Sequence, residues 1–228
     1  MGESIKRIVG PYQDSYSPDG IIGEKDACGV GFVANVKGIE SNWILKQSLK
    51  GLNCMEHRGG CGGDSDSGDG AGILCSIPWG YLDEELKLIN KQKLDRGLGM
   101  VFMPNKKEKI EECKSICEEE AEKLSVKETS WRKVPVNNEI LGPLAKANVP
   151  YICQWILYID TKDNQNIERL LFQLRKRIEK KIRETFKNDV GDCEFYFASL
   201  SSQTVVYKGM VRSEILSCLL YTSDAADE

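Results

Sequence analysis

The sequence contains a single histidine, His57, among 228 residues. Any hydrolase that pairs a nucleophile with an imidazole base must therefore use this one residue. No Cys-x-x-Cys pair occurs either, and Cys113 and Cys117 lack the further ligands that a structural zinc site needs. The nine cysteines, an odd number spread over the chain, indicate reduced thiols rather than a disulfide framework.

Long apolar runs are also missing. No stretch of about 18 apolar residues is present, and residues 1–25 lack the apolar centre of a secretory signal. The formal net charge of −4 is too small to indicate a polyanionic or polycationic partner. The sequence therefore predicts a cytoplasmic protein that binds neither membranes nor nucleic acid, and it leaves an organellar location open.

Three regions differ in composition. Residues 1–27 contain Gly10-Pro11 and little periodicity, which indicates an arm or a removable leader. Residues 28–217 have the patterning of a folded domain. Residues 218–228, CLLYTSDAADE, resemble the translated end of a sequencing adaptor, so a non-native tail is preferred over a genuine strand and turn. On this interpretation the domain is incomplete on its C-terminal side.

Hydrophobic periodicity predicts a mixed α and β fold in which helices cover sheets. Strands are predicted at residues 29–36, 73–77, 98–103, 151–159, 193–200 and 204–207, the last two as a strand pair. Helices are predicted at residues 41–55, 82–89, 106–124 and 167–186. The last helix is apolar on one stripe and basic on the opposite face. A solvated face explains that charge better than a nucleic-acid surface, because acidic residues are interleaved with the basic ones.

Cys28 stands in the sequence KDACGVGF, residues 25–32. A cysteine nucleophile reacts as the thiolate, and the ordinary thiol pKa of about 8.5 requires a base or a positive neighbour at neutral pH. His57 is one candidate base. The other is the α-amine of Cys28 itself, with a pKa of about 7.7 to 8.0, which becomes available if the chain is cut after Ala27. The glycines that follow would let a substrate approach the backbone. The competing interpretation is that Cys28 is a small buried residue at the edge of a strand.

A glycine-rich loop extends from Gly59 to Gly72 and follows Arg58. Such a density of glycine is entropically costly unless the backbone turns tightly or lies against another group. A phosphate cradle is disfavoured because a strand, not a helix, follows the loop. A calcium loop is disfavoured because Cys75 stands where an acidic ligand would be needed after Asp64. A binding loop on the rim of a small-molecule pocket is the remaining interpretation, with Arg58 as its cation.

Several motifs together carry a resemblance to a known family: DACGVGF at 26–32, CMEHRGG at 54–60, DSDSGDGAGI at 64–73 and SLSSQTVVYKGM at 199–210. In order and spacing they resemble the start of the large subunit of glutamate synthases. In that family this region is a class II glutamine amidotransferase domain with the α+β, four-layer αββα fold of N-terminal-nucleophile hydrolases. The resemblance extends from about Asp26 to Arg212, which implies a partial domain.

The resemblance implies that residues 1–27 are removed and that Cys28 becomes an N-terminal nucleophile. Its thiolate would attack the side-chain amide of L-glutamine, release ammonia and leave a γ-glutamyl thioester, which water then hydrolyses to glutamate. The α-amine would carry the proton. Arg58 and Gly59 would shape the surroundings of the nucleophile.

The resemblance also implies partners outside this chain. A downstream synthase domain of the same polypeptide would combine the ammonia with 2-oxoglutarate and two electrons to give a second glutamate. FMN and an iron–sulfur cluster would belong to the full-length enzyme, and ferredoxin or NAD(P)H would donate the electrons. No cofactor is expected in residues 1–228, and none of the cysteines here is assigned to a cluster.

The chain departs from the family pattern in containing no Asn-Gly pair, the source of the family's oxyanion hole. The family's arginine for the glutamine carboxylate belongs to a motif that follows SSQTVVYKG. Loss of oxyanion donors costs on the order of 10² to 10³ in rate, so the chain alone is expected to be inactive. Two alternatives stay open, namely an amidophosphoribosyltransferase-like amidotransferase domain and a non-catalytic glutamine-binding or interaction domain.

Overall fold

The computed structural model describes residues 29–39, 41–55, 67–68, 70–87, 95–124, 126–159, 167–187 and 195–219. The strands in these ranges are β1 (Ala71–Ser76), β2 (Asp95–Met103), β3 (Val126–Lys133), β4 (Tyr151–Ile159), β5 (Tyr196–Ser201) and β6 (Thr204–Gly209). The helices are α1 (Asn42–Cys54), α2 (Trp79–Leu86), α3 (Lys107–Glu122), α4 (Pro143–Ala147), α5 (Ile167–Thr185) and α6 (Ser213–Leu219), with a short 3-10 helix at Asn138–Ile140. The mixed α and β fold that the sequence predicts is confirmed.

Four strands form an antiparallel sheet in the order β3-β4-β2-β5. The two central strands, β2 and β4, pair along their whole length, from Asp95 opposite Ile159 to Met103 opposite Tyr151. Every residue of β4 after Tyr151 is buried. Because side chains alternate between the two faces of a strand, burial on both faces produces the continuous apolar runs seen in the sequence.

The helices α3 and α5 cover one face of this sheet. The predicted apolar stripe of α5 is confirmed, since its buried residues are Leu170, Leu171, Leu174, Ile178 and Ile182. The strand β2 approaches α5 closely at Gly97, where a Cβ would lie 2.9 Å from the Leu171 Cδ2. Among the helices in the described ranges, none combines the length and the hydropathy that a membrane span requires.

The other face of the sheet packs against a second, smaller sheet. The strands β1 and β6 form this sheet as an antiparallel pair, from Ala71 opposite Gly209 to Ser76 opposite Thr204. A buried cluster joins the two sheets and includes Leu98, Met100, Ile156 and Val205 from the strands, Leu82 from α2 and Leu216 from α6. Leu49 and Leu52 of α1 are partly buried and pack against it. The helices α1 and α6 also contact β1 and each other.

A polar cluster interrupts this apolar layer between the sheet and α2. Arg132 on β3 is directly opposite Gln154 on β4, and both side chains are buried. The Arg132 Nη2 donates to the two carboxylate oxygens of Glu85 at 2.8 and 2.6 Å and to the Tyr81 hydroxyl at 3.3 Å. Because the carboxylate compensates the buried guanidinium, the cluster fixes α2 on the sheet without an isolated interior charge.

Two predictions about strands are wrong. Residues 29–36 are predicted as a buried strand, but they are irregular, with Val30 91% and Phe32 93% exposed. Residues 193–200 and 204–207 are predicted as a strand pair, whereas β5 pairs with β2 in the larger sheet and β6 pairs with β1 in the smaller one. The chain therefore changes sheets at the turn between β5 and β6, which the periodicity of either strand does not reveal.

The strand β3 is absent from the sequence predictions. Its sequence, VKETSWRK, has few apolar residues, and only Val126 and Arg132 are buried. It is an edge strand of the larger sheet, and charged residues are usual on edges because they oppose pairing with another chain. Its pattern is therefore difficult to separate from that of a loop.

Candidate active site

The three predicted site residues, Cys28, Arg58 and Gly59, lie outside the described residues, as do residues 1–27 of the predicted leader and residues 220–228 of the predicted tail. The structure does describe the chain next to them. Gly29 follows Cys28 directly, and Met55 lies three positions before Arg58.

Gly29 lies beside the Met55 side chain. A Cβ built on Gly29 would lie 3.1 Å from the Sδ and 3.2 Å from the Cβ of Met55. The structure thus places Gly29 beside Met55, although an irregular stretch and the whole of α1 separate the two residues in the chain. The sequence predicts that Gly29 lets a substrate approach the backbone. In the structure, Met55 occupies the space beside Gly29.

The helix α1 carries Met55 to this position. Ser41 begins the helix from an extended conformation, with φ −160° and ψ 147°. The face that includes Leu49 and Leu52 packs on the buried cluster between the sheets, which fixes the direction of the helix. Met55 is the C-cap, and its N–H donates to the Leu52 carbonyl oxygen at 3.0 Å.

The described end of the glycine-rich loop lies against another part of the same chain. A Cβ on Gly68 would lie 2.7 Å from the backbone nitrogen of Arg212 and 2.7 Å from the carbonyl carbon of Val211. A Cβ on Gly72 would lie 3.0 Å from the Cβ of Lys208. At these positions glycine is needed because two backbone segments approach closely, and a bound ligand is not required to explain it.

The SLSSQT motif, residues 199–204, forms the turn between β5 and β6. The Glu168 Oε1 accepts hydrogen bonds from the Ser202 N–H at 2.6 Å, the Ser202 hydroxyl at 2.7 Å and the Ser201 hydroxyl at 3.0 Å. The Ser201 Oγ in turn accepts from the Gln203 N–H at 3.0 Å and the Thr204 N–H at 3.2 Å. These hydrogen bonds attach the loop between β5 and β6 to the N-terminal end of α5. The strand β6 then pairs with β1.

A cavity of about 590 Å³ lies between residues 33–39, α1 and the strand β1. Its lining includes Val33, Leu45, Leu49, Leu74 and Tyr207. None of its described lining residues is charged. Glutamine carries an ammonium and a carboxylate group, both costly to desolvate without charged partners. The described lining alone therefore does not form a glutamine site.

The buried cysteines are unsuited to nucleophilic chemistry. Cys113, Cys117 and Cys153 belong to the core between the larger sheet and its covering helices. Burial raises the pKa of the Cys153 thiol to about 12, with a small opposing effect of Lys114. Burial also raises the pKa of Cys117, and the neighbouring Cys113 and Cys153 add to this effect. In the described ranges, no group of three or more His, Cys, Asp or Glu side chains is placed to hold a metal ion.

A family model described as "Glutamine amidotransferases class-II" matches residues 28–228. Because the match covers most of the sequence, this chain belongs to the class II glutamine amidotransferase family. The match begins at Cys28, the residue that the sequence predicts as the nucleophile. The family assignment based on the four motifs is therefore confirmed.

Three curated relatives are similar over most of this chain. The ferredoxin-dependent glutamate synthase 1 of Arabidopsis thaliana is 44% identical over 200 residues, 86% of this chain and 12% of that protein. The ferredoxin-dependent glutamate synthase of Oryza sativa subsp. japonica is 42% identical over 210 residues, 90% of this chain and 13% of that protein. That of Pyropia yezoensis is 40% identical over 219 residues, 95% of this chain and 14% of that protein. The chain thus spans a small part of the length of these relatives.

Two features of the structure are not predicted from the sequence. The buried Arg132 cluster leaves no signal in the sequence, since its members come from elements far apart in the chain. The contact between Gly29 and Met55 does leave a signal, because glycines at alternate positions beside an apolar helix end indicate close packing. The periodicity of α1 places Met55 on the apolar face of the helix, without identifying its partner.

Proposed function

We propose that Cys28 is the nucleophile of a glutamine-hydrolysing site in this domain. The observation that carries the proposal is the family match from residue 28, combined with the contact of Gly29 and Met55. Gly29 follows Cys28 directly in the chain and Met55 precedes Arg58 by three positions, which supports our assignment of Arg58 and Gly59 to shaping the surroundings of the nucleophile. The raised pKa values of Cys117 and Cys153 are consistent with a nucleophile elsewhere in the chain.

The first step forms a covalent intermediate. The Cys28 thiolate attacks the side-chain carbonyl carbon of L-glutamine, and the resulting tetrahedral oxyanion collapses with loss of the amide nitrogen. The α-amine, exposed by cleavage after Ala27, takes the thiol proton and returns it to the leaving nitrogen. Ammonia departs, and a γ-glutamyl thioester remains.

The second step regenerates the thiol. The α-amine accepts a proton from water, which attacks the thioester carbon, and the Cys28 sulfur leaves as a thiolate that recovers the proton. The sum is hydrolysis of glutamine to glutamate and ammonia. Both steps use proton transfer and thiol chemistry alone, so we assign no cofactor to this chain.

The order of the layers supports a more specific assignment of the fold. In order, α3 and α5, the four-stranded sheet, the two-stranded sheet, and α1 with α6 pack on one another. We propose that this order is the αββα arrangement of N-terminal-nucleophile hydrolases.

We further propose that the domain acts within a glutamate synthase. The three relatives are ferredoxin-dependent glutamate synthases by name, which favours this assignment over an amidophosphoribosyltransferase-like protein. Ammonia would pass to a synthase domain of the full-length protein, with FMN and an iron–sulfur cluster there and ferredoxin as the electron donor. Without an Asn-Gly pair for the oxyanion, the chain alone would be inactive. Residues 1–27 would be a leader, and residues 218–228 a non-native tail.

Labelling with a glutamine-mimicking diazoketone tests the proposed function in the full-length protein. The reagent should modify Cys28, and glutamine should protect that residue from it. The exposed thiol of Cys54 is the matched control and should not show protection. Glutamine binding without modification of Cys28 would support a non-catalytic binding domain and contradict the proposal.

A further inference from the structure

The Met55 side chain lies along the backbone that immediately follows the proposed nucleophile. Measured from a Cβ built on Gly29, the Sδ, Cβ and Cγ of Met55 are 3.1, 3.2 and 3.4 Å away. From a Cβ built on Gly31, its Cε and Sδ are 3.8 and 4.0 Å away. One side chain thus lies beside two glycines at alternate positions. A Cβ on Gly29 would approach Met55 more closely than ordinary packing allows, whereas a Cβ on Gly31 would lie at van der Waals distance from it.

The position of Met55 is fixed from the helix side. Its backbone caps α1 and is hydrogen-bonded to Leu52, which belongs to the buried cluster between the sheets. Rotation about χ angles moves the Sδ and Cε of Met55, but it leaves the Cβ in place. The helix therefore holds the Met55 Cβ, which would lie 3.2 Å from a Cβ at position 29, so a side chain there would require a small shift of one segment.

The segment has little other burial along its length. Val30, Phe32 and Val36 are 91%, 93% and 103% exposed, while Gly29 and Met55 are both half-buried. Consecutive Cα atoms across a trans peptide lie about 3.8 Å apart, so packing at one residue restrains its neighbours in the chain. A flexible, polarizable thioether is well suited to fill an irregular gap against a bare backbone.

We propose that Met55 is a positioning residue for the Cys28 nucleophile, acting through its packing on Gly29. This inference rests on the proposed function. Met55 touches neither substrate nor reacting atoms in this account. It limits the range of positions from which the sulfur attacks, and a misplacement of about 1 Å costs on the order of 10²-fold in rate.

Diazoketone labelling of the full-length protein separates positioning from binding. For Met55→Ala we expect the limiting rate constant of Cys28 modification to fall roughly 10- to 100-fold, because the nucleophile is less well placed. The reagent concentration for half-maximal rate should change less than about twofold, because its binding groups are intact. Met55→Leu should retain most of the rate, since a Leu side chain nearly conserves the volume. Met210→Ala removes a 69% exposed methionine and is the matched control.

The variants need a check that is independent of the nucleophile. Mass spectrometry gives the fraction of chains that begin at Cys28, and rates are expressed per processed chain. Met55→Val shortens the side chain, remains apolar and takes the place of Met55→Ala if the latter does not fold. A rate defect that Met55→Leu rescues is not expected from a general loss of folded protein.

A double-mutant cycle tests the contact itself. Gly29→Ala should lower the limiting rate, because its new Cβ would meet Met55 at 3.1 Å. In Gly29→Ala with Met55→Ala, the Sδ and Cγ that would lie 3.1 and 3.4 Å from the new Cβ are gone and only the Met55 Cβ at 3.2 Å remains, so the combined loss should be less than the product of the single losses. Gly51→Ala on α1 is the matched glycine control, because a Cβ there meets no atom within 4 Å.

The outcomes distinguish this inference from the function on which it rests. Slow modification of Met55→Ala, with rescue by leucine and coupling to Gly29, supports the positioning role. Modification of Met55→Ala at the wild-type rate, or strictly multiplicative losses in the cycle, overturns the positioning role and leaves the proposed function standing. Failure of the wild-type protein to react at Cys28 overturns both.

Discussion

Arg132 and Gln154 lie directly opposite each other on β3 and β4, and the Arg132 Nη1 donates a hydrogen bond to the Gln154 Oε1 at 2.9 Å. Both are buried in the layer where the larger sheet meets α2. The guanidinium is held there by Glu85, whose side chain is 37% exposed whereas that of Arg132 is 4% exposed. The two members of the ion pair therefore differ in access to water.

This difference predicts unequal effects of the two substitutions. Glu85→Ala leaves a buried, unpaired guanidinium and should lower the free energy of unfolding by about 3 to 5 kcal/mol. Arg132→Met leaves a carboxylate that can reach water, so we expect a loss of about 2 kcal/mol. Hydrogen exchange of β3 and β4 amides in the full-length protein measures both. Lys180→Ala removes an exposed pair at 3.9 Å and should change little. Equal effects of the two substitutions would contradict this account of the cluster.

The pKa of Glu120 predicts acid sensitivity of the contact between α3 and α5. The hydrogen bond from Lys123 lowers the pKa of Glu120, burial opposes it, and the hydrogen bond from Arg177 lowers it further. A carboxyl whose folded pKa is lowered stabilises the fold above its ordinary pKa of 4.5, and that contribution disappears as the pH falls through the lower, folded value. Stability should therefore decrease below about pH 4.5. Denaturant titrations between about pH 3 and 7 should show a weaker pH dependence for Glu120→Gln, and no such change for the exposed Glu184→Gln.

The close backbone approach at Gly68 predicts a severe effect of a single methyl group. A Cβ there would lie 2.7 Å from backbone atoms of Val211 and Arg212, which cannot move aside as a side chain can. We expect Gly68→Ala to lower the free energy of unfolding by about 2 kcal/mol or more. Exchange of amides in β1 and β6 should increase accordingly. Gly80→Ala, where a Cβ meets nothing within 4 Å, should be neutral. A Gly68→Ala protein with wild-type exchange rates would contradict the described packing.

The burial of the core cysteines predicts the order of thiol reactivity. The Cys153 thiol, with its pKa raised to about 12, should remain unmodified by iodoacetamide at pH 8, as should Cys117. Exposed Cys54 should react readily under the same conditions. Peptide mapping by mass spectrometry before and after addition of denaturant measures this order. Rapid modification of Cys153 in the folded protein would show that its surroundings are not closed to solvent.

The sequence predicts the parts of the fold whose burial is uniform along an element. The helix α5 has one apolar stripe, and β4 is buried on both faces, so their patterns are strong. The strand β3 is different, because its edge position leaves mostly polar residues and no clear period. The change of sheet between β5 and β6 depends on side-chain bonds from Glu168 to the turn. Such long-range contacts are not encoded in local periodicity.

The candidate site, like the fold, is predicted from the sequence only in part. Cys28 and Arg58 stand in short motifs whose residue types suit the chemistry, and the family match confirms the family that those motifs predict. The packing of Met55 on Gly29 needed the structure, since a helix and an irregular segment separate the two residues in the chain. The glycine-rich loop was predicted to turn tightly or lie against another group. At Gly68 that group is the backbone of the same chain.

The central claim is that the α-amine of Cys28, freed by removal of residues 1–27, is the base for glutamine hydrolysis. The most direct test is the intact mass of the N-terminal region in catalytically active full-length protein, together with turnover of a variant whose leader resists cleavage. We expect that active protein begins at Cys28 and that the uncleaved variant does not hydrolyse glutamine. Glutamine hydrolysis at the wild-type rate by protein that still begins at Met1 would contradict it.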